Sequence, residues 1–401
     1  MNITNIKKEF PVFDAHKDLC YLDSAASSLK PRRVIEKMDY YYNNLSCNVH
    51  RGVYGLSYQA TDMYEEARNL VANFIGSEFE EVVFTRGASA SLNLVALSYG
   101  MDNINEGDEV ITSELEHHSS HMPWFNVCKK KHATLKYIPL TKEGRITVEN
   151  FMKVLTDKTK VVALTYVSNV MGYITPIKEI IEICHQRGII VSVDGAQVVP
   201  HMKINVKELD CDFLSFSGHK MLGPSGVGVL YGKKELLDKM NPVEFGGDMA
   251  DVVEKDSQTY KDAPYKFETG TPMIAEVIGL GEACRILDEI GLDEIGSYEN
   301  MLAKKAIELL SQIEDVEIYN KNTDTGVIAF NIKGVHPHDA ASIYDKNHVC
   351  IRAGHHCAQL ITSFLGQIST TRASFYLYNT MDDVYKLVDS VKEARDFFKS
   401  F

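Results

Sequence analysis

Phe213-Leu214-Ser215-Phe216-Ser217-Gly218-His219-Lys220, followed by Gly223-Pro224-Ser225-Gly226-Val227-Gly228, is the stretch on which the fold turns. The apolar run 213–216 reads as a short buried strand, and the small and polar residues after it read as a loop at the strand's carboxyl end. In open α/β sheets that edge is where ligands bind. Desolvation and neighbouring positive charge lower the pKa of a lysine placed there until its free amine becomes nucleophilic. The small residues around Lys220 leave room for a flat ring. Taken alone, the tetrapeptide is equally a surface His-Lys pair before a turn, so its context decides.

Outward from Lys220 the chain alternates between two periodicities, which predicts a mostly parallel α/β sheet. Helices are expected over 61–75, 89–97, 119–131 and 176–187, and strands over 82–85, 109–112, 161–167, 189–193 and 213–216. From about Leu292 the pattern changes to a long helix (297–314), short strands near Val316 and Val327, a helix over 338–346 and a closing helix over 381–398. This predicts a second, smaller α+β unit. The expected division is 23–289 for the large unit and 1–22 with 290–401 for the small one, joined by a helix over 278–290.

Five of the expected strands end in small or polar residues: Arg86-Gly87-Ala88-Ser89, Glu114-Leu115-Glu116-His117-His118, Ser168-Asn169, Asp194-Gly195-Ala196-Gln197 and Ser217-Gly218-His219-Lys220. The set matches what pyridoxal phosphate (PLP) requires. Asp194 suits the acid that keeps the pyridine nitrogen protonated. Gly87, Ala88 and Ser89 open a helix, where backbone N–H groups bind phosphate, and Ser217 and His219 add side-chain bonds. His117 is the flat group for the open face of the ring. Asn169 and Gln197 supply donors for the phenolic oxygen.

With these residues in place the chain resembles a class V aminotransferase-fold enzyme, and within that group a cysteine desulfurase of the Suf type (group II). The resemblance runs from Tyr21-Leu22-Asp23-Ser24-Ala25-Ala26 to Ala373-Ser374-Phe375-Tyr376-Leu377-Tyr378-Asn379. It rests above all on Arg352-Ala353-Gly354-His355-His356-Cys357, with Asn48-Val49-His50-Arg51-Gly52, Ser168-Asn169-Val170-Met171-Gly172 and Phe267-Glu268-Thr269-Gly270-Thr271-Pro272. It implies PLP fold type I, the aspartate aminotransferase-like large domain, and a smaller domain carrying a catalytic cysteine loop. It implies a homodimer in which Gly270 and Thr271 reach the phosphate of the partner's cofactor. It implies that Lys220 carries PLP, that Arg372 holds the substrate carboxylate with Asn169 and Arg352 nearby, and that Cys357 accepts sulfur from L-cysteine. L-selenocysteine is the alternative substrate, another class V PLP reaction the alternative chemistry. A sulfur-acceptor protein of iron–sulfur assembly is the implied partner.

Three positions depart from that pattern. Ala88 stands where relatives often carry a second phosphate-loop hydroxyl. After Cys357 the chain reads Ala358-Gln359-Leu360-Ile361, where a proline is common in relatives. Thr370-Thr371 precede Arg372 where relatives vary.

Composition bounds the rest. A chain of 401 residues with 45% hydrophobic and 24% charged residues is an ordinary globular protein large enough for two domains. A net charge of −13 with no basic stripe argues against nucleic acid. No run reaches membrane-spanning length, and the mixed charges of 1–14 do not read as a signal peptide, so a cytoplasmic protein is expected. The eight cysteines lack paired spacing and read as thiols. His355-His356-Cys357, and His117 with His121 one helical turn on, are also metal-ligand patterns. No second ligand pair lies at zinc spacing near the former, and the resemblance argues against the latter, so no metal is expected.

Overall fold

The computed structural model describes residues 3–400; Met1, Asn2 and Phe401 of the expected small unit lie outside the described residues. The large sheet has seven strands: β1 (Val82–Thr85), β2 (Glu109–Ser113), β3 (Thr134–Ile138), β4 (Thr159–Thr165), β5 (Ile190–Asp194), β6 (Phe213–Ser217) and β7 (Gly228–Gly232). Their spatial order is β1-β7-β6-β5-β4-β2-β3. Only β7 runs antiparallel to its neighbours. This is a mixed, mostly parallel sheet, as expected. Every residue of β6 is buried, as strands covered by helices on both faces must be. The helix Ile274–Ile290 packs on Arg32–Asn44 and Gly55–Ile75, and its apolar positions join the sheet's core.

The second sheet comprises β8 (Val316–Ile318), β9 (Val327–Ile332), β10 (Arg352–Gly354) and β11 (Thr370–Ser374), in the order β8-β9-β11-β10, all antiparallel. The helices Leu292–Leu310, Pro337–Lys346 and Met381–Lys399 build a separate apolar cluster against it. Cys20–Leu22 are stitched into this unit, whereas Phe10, with Ile6, Val12 and Phe13 against it, packs into the core of the large sheet. Cys20 and Tyr21 pair in parallel with Val349 and Cys350, and the Ser374 N–H donates to the Leu22 carbonyl at 2.7 Å. That stitch brings Asp23 beside Arg372.

Two strands of the large sheet, β3 and β7, were not expected from the sequence, nor were β10 and β11 of the second. β3 is the sheet's edge and only its last residue is buried, so it lacks the apolar run that marks a buried strand. β7 begins and ends in glycine, and its sequence reads as a continuation of the Gly-rich loop. The helix Gly55–Ile75 also begins six residues before the expected 61.

Candidate active site

The carboxyl ends of β1, β2, β4, β5 and β6 meet the second sheet around a pocket of about 170 Å³. Its walls include Ala88, Ser89, His117, Asn169, Asp194, Gln197, Ser217, His219, Lys220, Arg352 and Arg372. Sequence positions from 88 to 372 thus converge on one cavity.

Lys220 ends a single 3₁₀ turn after β6. Burial, and then the Arg372 and Arg352 charges, pull its ammonium down to about 8, against the opposing pull of Asp194. The loop is held from outside: the His219 carbonyl accepts from the Ser28 N–H at 2.9 Å and from Lys30 Nζ at 2.9 Å. Asp194 is buried at the end of β5 and accepts from the Ala196 N–H at 3.0 Å. Burial raises its pKa, and Lys220 offsets part of the rise.

The β1 turn passes through Gly87 at φ 149° into the helix Ala88–Val95. A Cβ on Gly228 of β7 would lie 2.4 Å from the Gly87 Cα, so this backbone approach requires glycine at 228. The Ala88 N–H donates to Ser217 Oγ at 2.7 Å, and Ser89 Oγ lies 2.6 Å from Ser119 Oγ. The methyl of Ala88 leaves the hydroxyl role to Ser89, Ser119 and Ser217.

His117 caps the helix His118–Lys131, its Nδ1 accepting from the Ser119 N–H at 3.1 Å. The ring proton therefore sits on Nε2. Burial, then the Lys220, His118, Arg352 and Arg372 charges, push its pKa down to about 3, so the imidazole is neutral. His121 turns away and bonds Tyr137 Oη at 2.6 Å. Among the described residues no group of three or more His, Cys, Asp or Glu is placed to hold a metal.

Arg372, on β11, is 1% exposed. NH1 donates to the Asn169 carbonyl and NH2 to Asp23 Oδ1, both at 2.9 Å. Its Nε, Asn169 Oδ1 and His356 Nδ1 are buried without partners, and all three residues line the pocket. A cluster of unmatched buried polar atoms around one pocket is the signature of a polar ligand site. The Asn169 and Gln197 amides already donate to the His356 and Ala25 carbonyls at 2.8 Å; each NH₂ keeps a second hydrogen for a ligand.

Cys357 lies outside the pocket wall, in a loop where both His356 and Cys357 have φ 54°. Arg352, which lines the pocket, donates toward Cys357 Sγ at 3.8 Å. Cys357 is exposed, Cys47 and Cys350 are half-buried, and the other five cysteines are buried. Burial pushes Cys128 up to about 11 and Cys184 up to about 12, which keeps those thiols protonated. Thr271 does not meet this pocket. It lines a second cleft of about 570 Å³ with Arg86, Glu268 and Thr269.

Sequence reasoning assigned no role to Asp23, Glu116 or His118. Glu116 is fully buried beside His117, and its oxygens accept from Ser113 Oγ and Ser120 Oγ at 2.7 Å each. Burial raises its carboxyl to about 7. The flanking serines were the available signal.

The aminotransferase class V pattern matches residues 20–387. The chain is 52% identical over 402 residues to a probable cysteine desulfurase of Halalkalibacterium halodurans, covering 99% of both. The apo structure of a cysteine desulfurase from Thermococcus onnurineus aligns with a TM-score of 0.94 at 40% identity over 98% of both chains. The S-sulfonic acid form of the cysteine desulfurase CsdA from Escherichia coli aligns with a TM-score of 0.93 at 36% identity over 99% of both. With these matches over nearly its whole length, and with Lys220, Asp194 and the Ala88–Ser89 turn gathered at one pocket, the chain belongs to the class V aminotransferase family.

Proposed function

We propose that the chain is a PLP-dependent cysteine desulfurase that converts L-cysteine to L-alanine and stores the sulfur as a persulfide on Cys357. The observation that carries this is the pairing of a buried lysine site with an exposed cysteine on a strained loop at its mouth, joined through Arg352. The relatives named above are desulfurases, so the selenocysteine alternative has no observation in its favour.

The pocket fits PLP. Lys220 would carry it, Asp194 would pair with the ring nitrogen, and the N–H groups of the 87–89 turn with Ser89, Ser217 and His219 would hold the phosphate. PLP supplies an electron sink for charge developing at the carbon next to the substrate amine. The chain's own groups do the rest. Arg372 presents its unpaired Nε edge to the substrate carboxylate as a rigid fork. The Lys220 amine, basic once deprotonated, takes the Cα proton. Neutral His117 covers the open face and offers its Nε2 proton. The Cys357 thiolate attacks the substrate sulfur. An S–S bond forms, the Cβ–S bond breaks with its electron pair left on the carbon skeleton, and protonation there yields alanine.

The division at 289/290 serves this chemistry by giving Cys357 and Arg372 to a unit separate from Lys220. Two further readings go with it. Gly270 and Thr271, which do not line their own pocket, would serve the partner's phosphate in a homodimer. The exposed Val53, Phe245 and Val253 support such an interface. A sulfur-acceptor protein for iron–sulfur assembly would discharge the persulfide, in the cytoplasm, where eight free cysteines are at home. Among the described residues no helix is long and apolar enough to cross a membrane.

The test is equimolar alanine and sulfide from L-cysteine with a thiol reductant. Wild type is expected to release both. Cys357→Ala is expected to retain PLP and release neither. Undiminished release by Cys357→Ala would reject the assignment.

A further inference from the structure

Two neighbouring histidines divide between the pocket and the loop. His117 lines the pocket; His118 grips the cysteine loop by two bonds. The His118 backbone N–H donates to the Cys357 carbonyl at 2.7 Å. His118 Nε2 accepts from the Gln359 backbone N–H at 3.2 Å. Gln359 is the first residue of the short helix Gln359–Phe364, so its N–H has no partner within that helix. The loop before Cys357 is fixed independently: His356 Nε2 is bonded to the Thr370 carbonyl at 3.0 Å and lies 2.9 Å from Thr370 Oγ1, and the His356 carbonyl accepts from Asn169 at 2.8 Å. Residues 356 and 357 sit at φ 54°, a conformation that non-glycine residues leave unless held.

We infer that His118 is a positioning residue: its side chain, by accepting from Gln359, pins the far side of the cysteine loop and sets the reach of the Cys357 thiol into the pocket. The inference rests on the desulfurase reading.

The experiment uses holoenzyme and measures the single-turnover rate of persulfide formation on Cys357 from L-cysteine, with the KM of steady turnover. His118→Ala is expected to slow persulfide formation by about five- to tenfold, the worth of one neutral hydrogen bond, with KM within about twofold. His118→Gln, which retains a side-chain acceptor, is expected to recover most of the rate. Gln359→Pro removes the donor from the other side at a helix position that tolerates proline. Combined with His118→Ala, it is expected to add little further loss, since both break one bond. A persulfide rate within twofold of wild type in His118→Ala, no recovery in His118→Gln, or full additivity in the double variant would overturn the inference. Should wild type itself form no persulfide on Cys357, the desulfurase reading fails instead. PLP retention, read from its visible absorbance, reports that each variant is folded, and the Gln359 variant stands if His118→Ala is not.

Discussion

Replacing Asp23 by Asn probes how the pocket holds Arg372 ready. The pair is 2.9 Å apart, with side-chain exposures of 1% for Arg372 and 25% for Asp23. At an effective dielectric constant of about 20, unit charges at that distance attract by about 6 kcal/mol before desolvation is charged against them. Burial lowers the Arg372 pKa and Asp23 opposes the change, so the guanidinium depends on its partner. Asn keeps the shape and an acceptor oxygen but removes the charge, and the net loss should be near that of a charged hydrogen bond, about 2 kcal/mol. For a chain of this length that corresponds to about 2–3 °C in Tm. L-Alanine carries the same carboxylate as the substrate. Bound at Arg372, it replaces the missing charge, so its stabilising shift should be larger in Asp23→Asn than in wild type. The assay is thermal unfolding of both holoenzymes with and without saturating L-alanine. Asp14→Asn serves as control, since the Arg32–Asp14 pair is open to solvent and should change stability by under about 1 kcal/mol. An unchanged Tm in Asp23→Asn, or an L-alanine shift no larger than in wild type, would refute the role given to Asp23.

Two other outcomes follow from the buried charges. The Lys220 ammonium titrates near 8, so protein stripped of PLP should reload faster as pH rises toward and through 8, where the free amine takes over. Lys220→Ala should show no covalent reloading at any pH, and a pH-independent wild-type rate between 7 and 9 would contradict the placement of the lysine. Glu116 has its folded pKa raised to about 7 from 4.5. The folded state therefore binds more protons than the unfolded state between those values, and stability falls as pH rises across that window. Glu116→Gln should flatten the decline by at most about 3 kcal/mol, measured by denaturant unfolding at pH 5 and pH 7.5; equal slopes in both proteins would show that Glu116 does not titrate there.

The pocket was legible in the sequence to the extent that its groups sit at strand ends. Asp194 and Lys220 each follow a buried apolar run, and a parallel sheet aligns the carboxyl ends of its strands at one edge. What escaped reading arises from contacts between distant segments. Asp23 meets Arg372 across 349 positions, and His118 meets Gln359 across 241; neither pairing leaves a periodicity. Glu116 stood in plain view, but its role depends on full burial, which a motif does not reveal. The edge strand β3 and the glycine-bounded β7 were missed because exposure and glycine erase the apolar pattern of a buried strand. Thr271 illustrates the limit of one chain: its expected phosphate contact belongs to a partner, and within its own fold it lines another cleft.

The central claim is that sulfur leaves L-cysteine for Cys357 and for no other thiol. The direct measurement is peptide mass mapping of the holoenzyme after a single turnover with L-cysteine in the absence of reductant. The expected result is the mass of one added sulfur atom on the peptide bearing Cys357, removed by reductant, and none on peptides bearing the other seven cysteines. Alanine formed with no sulfur on Cys357, or with sulfur on Cys47 or Cys350 instead, would contradict it.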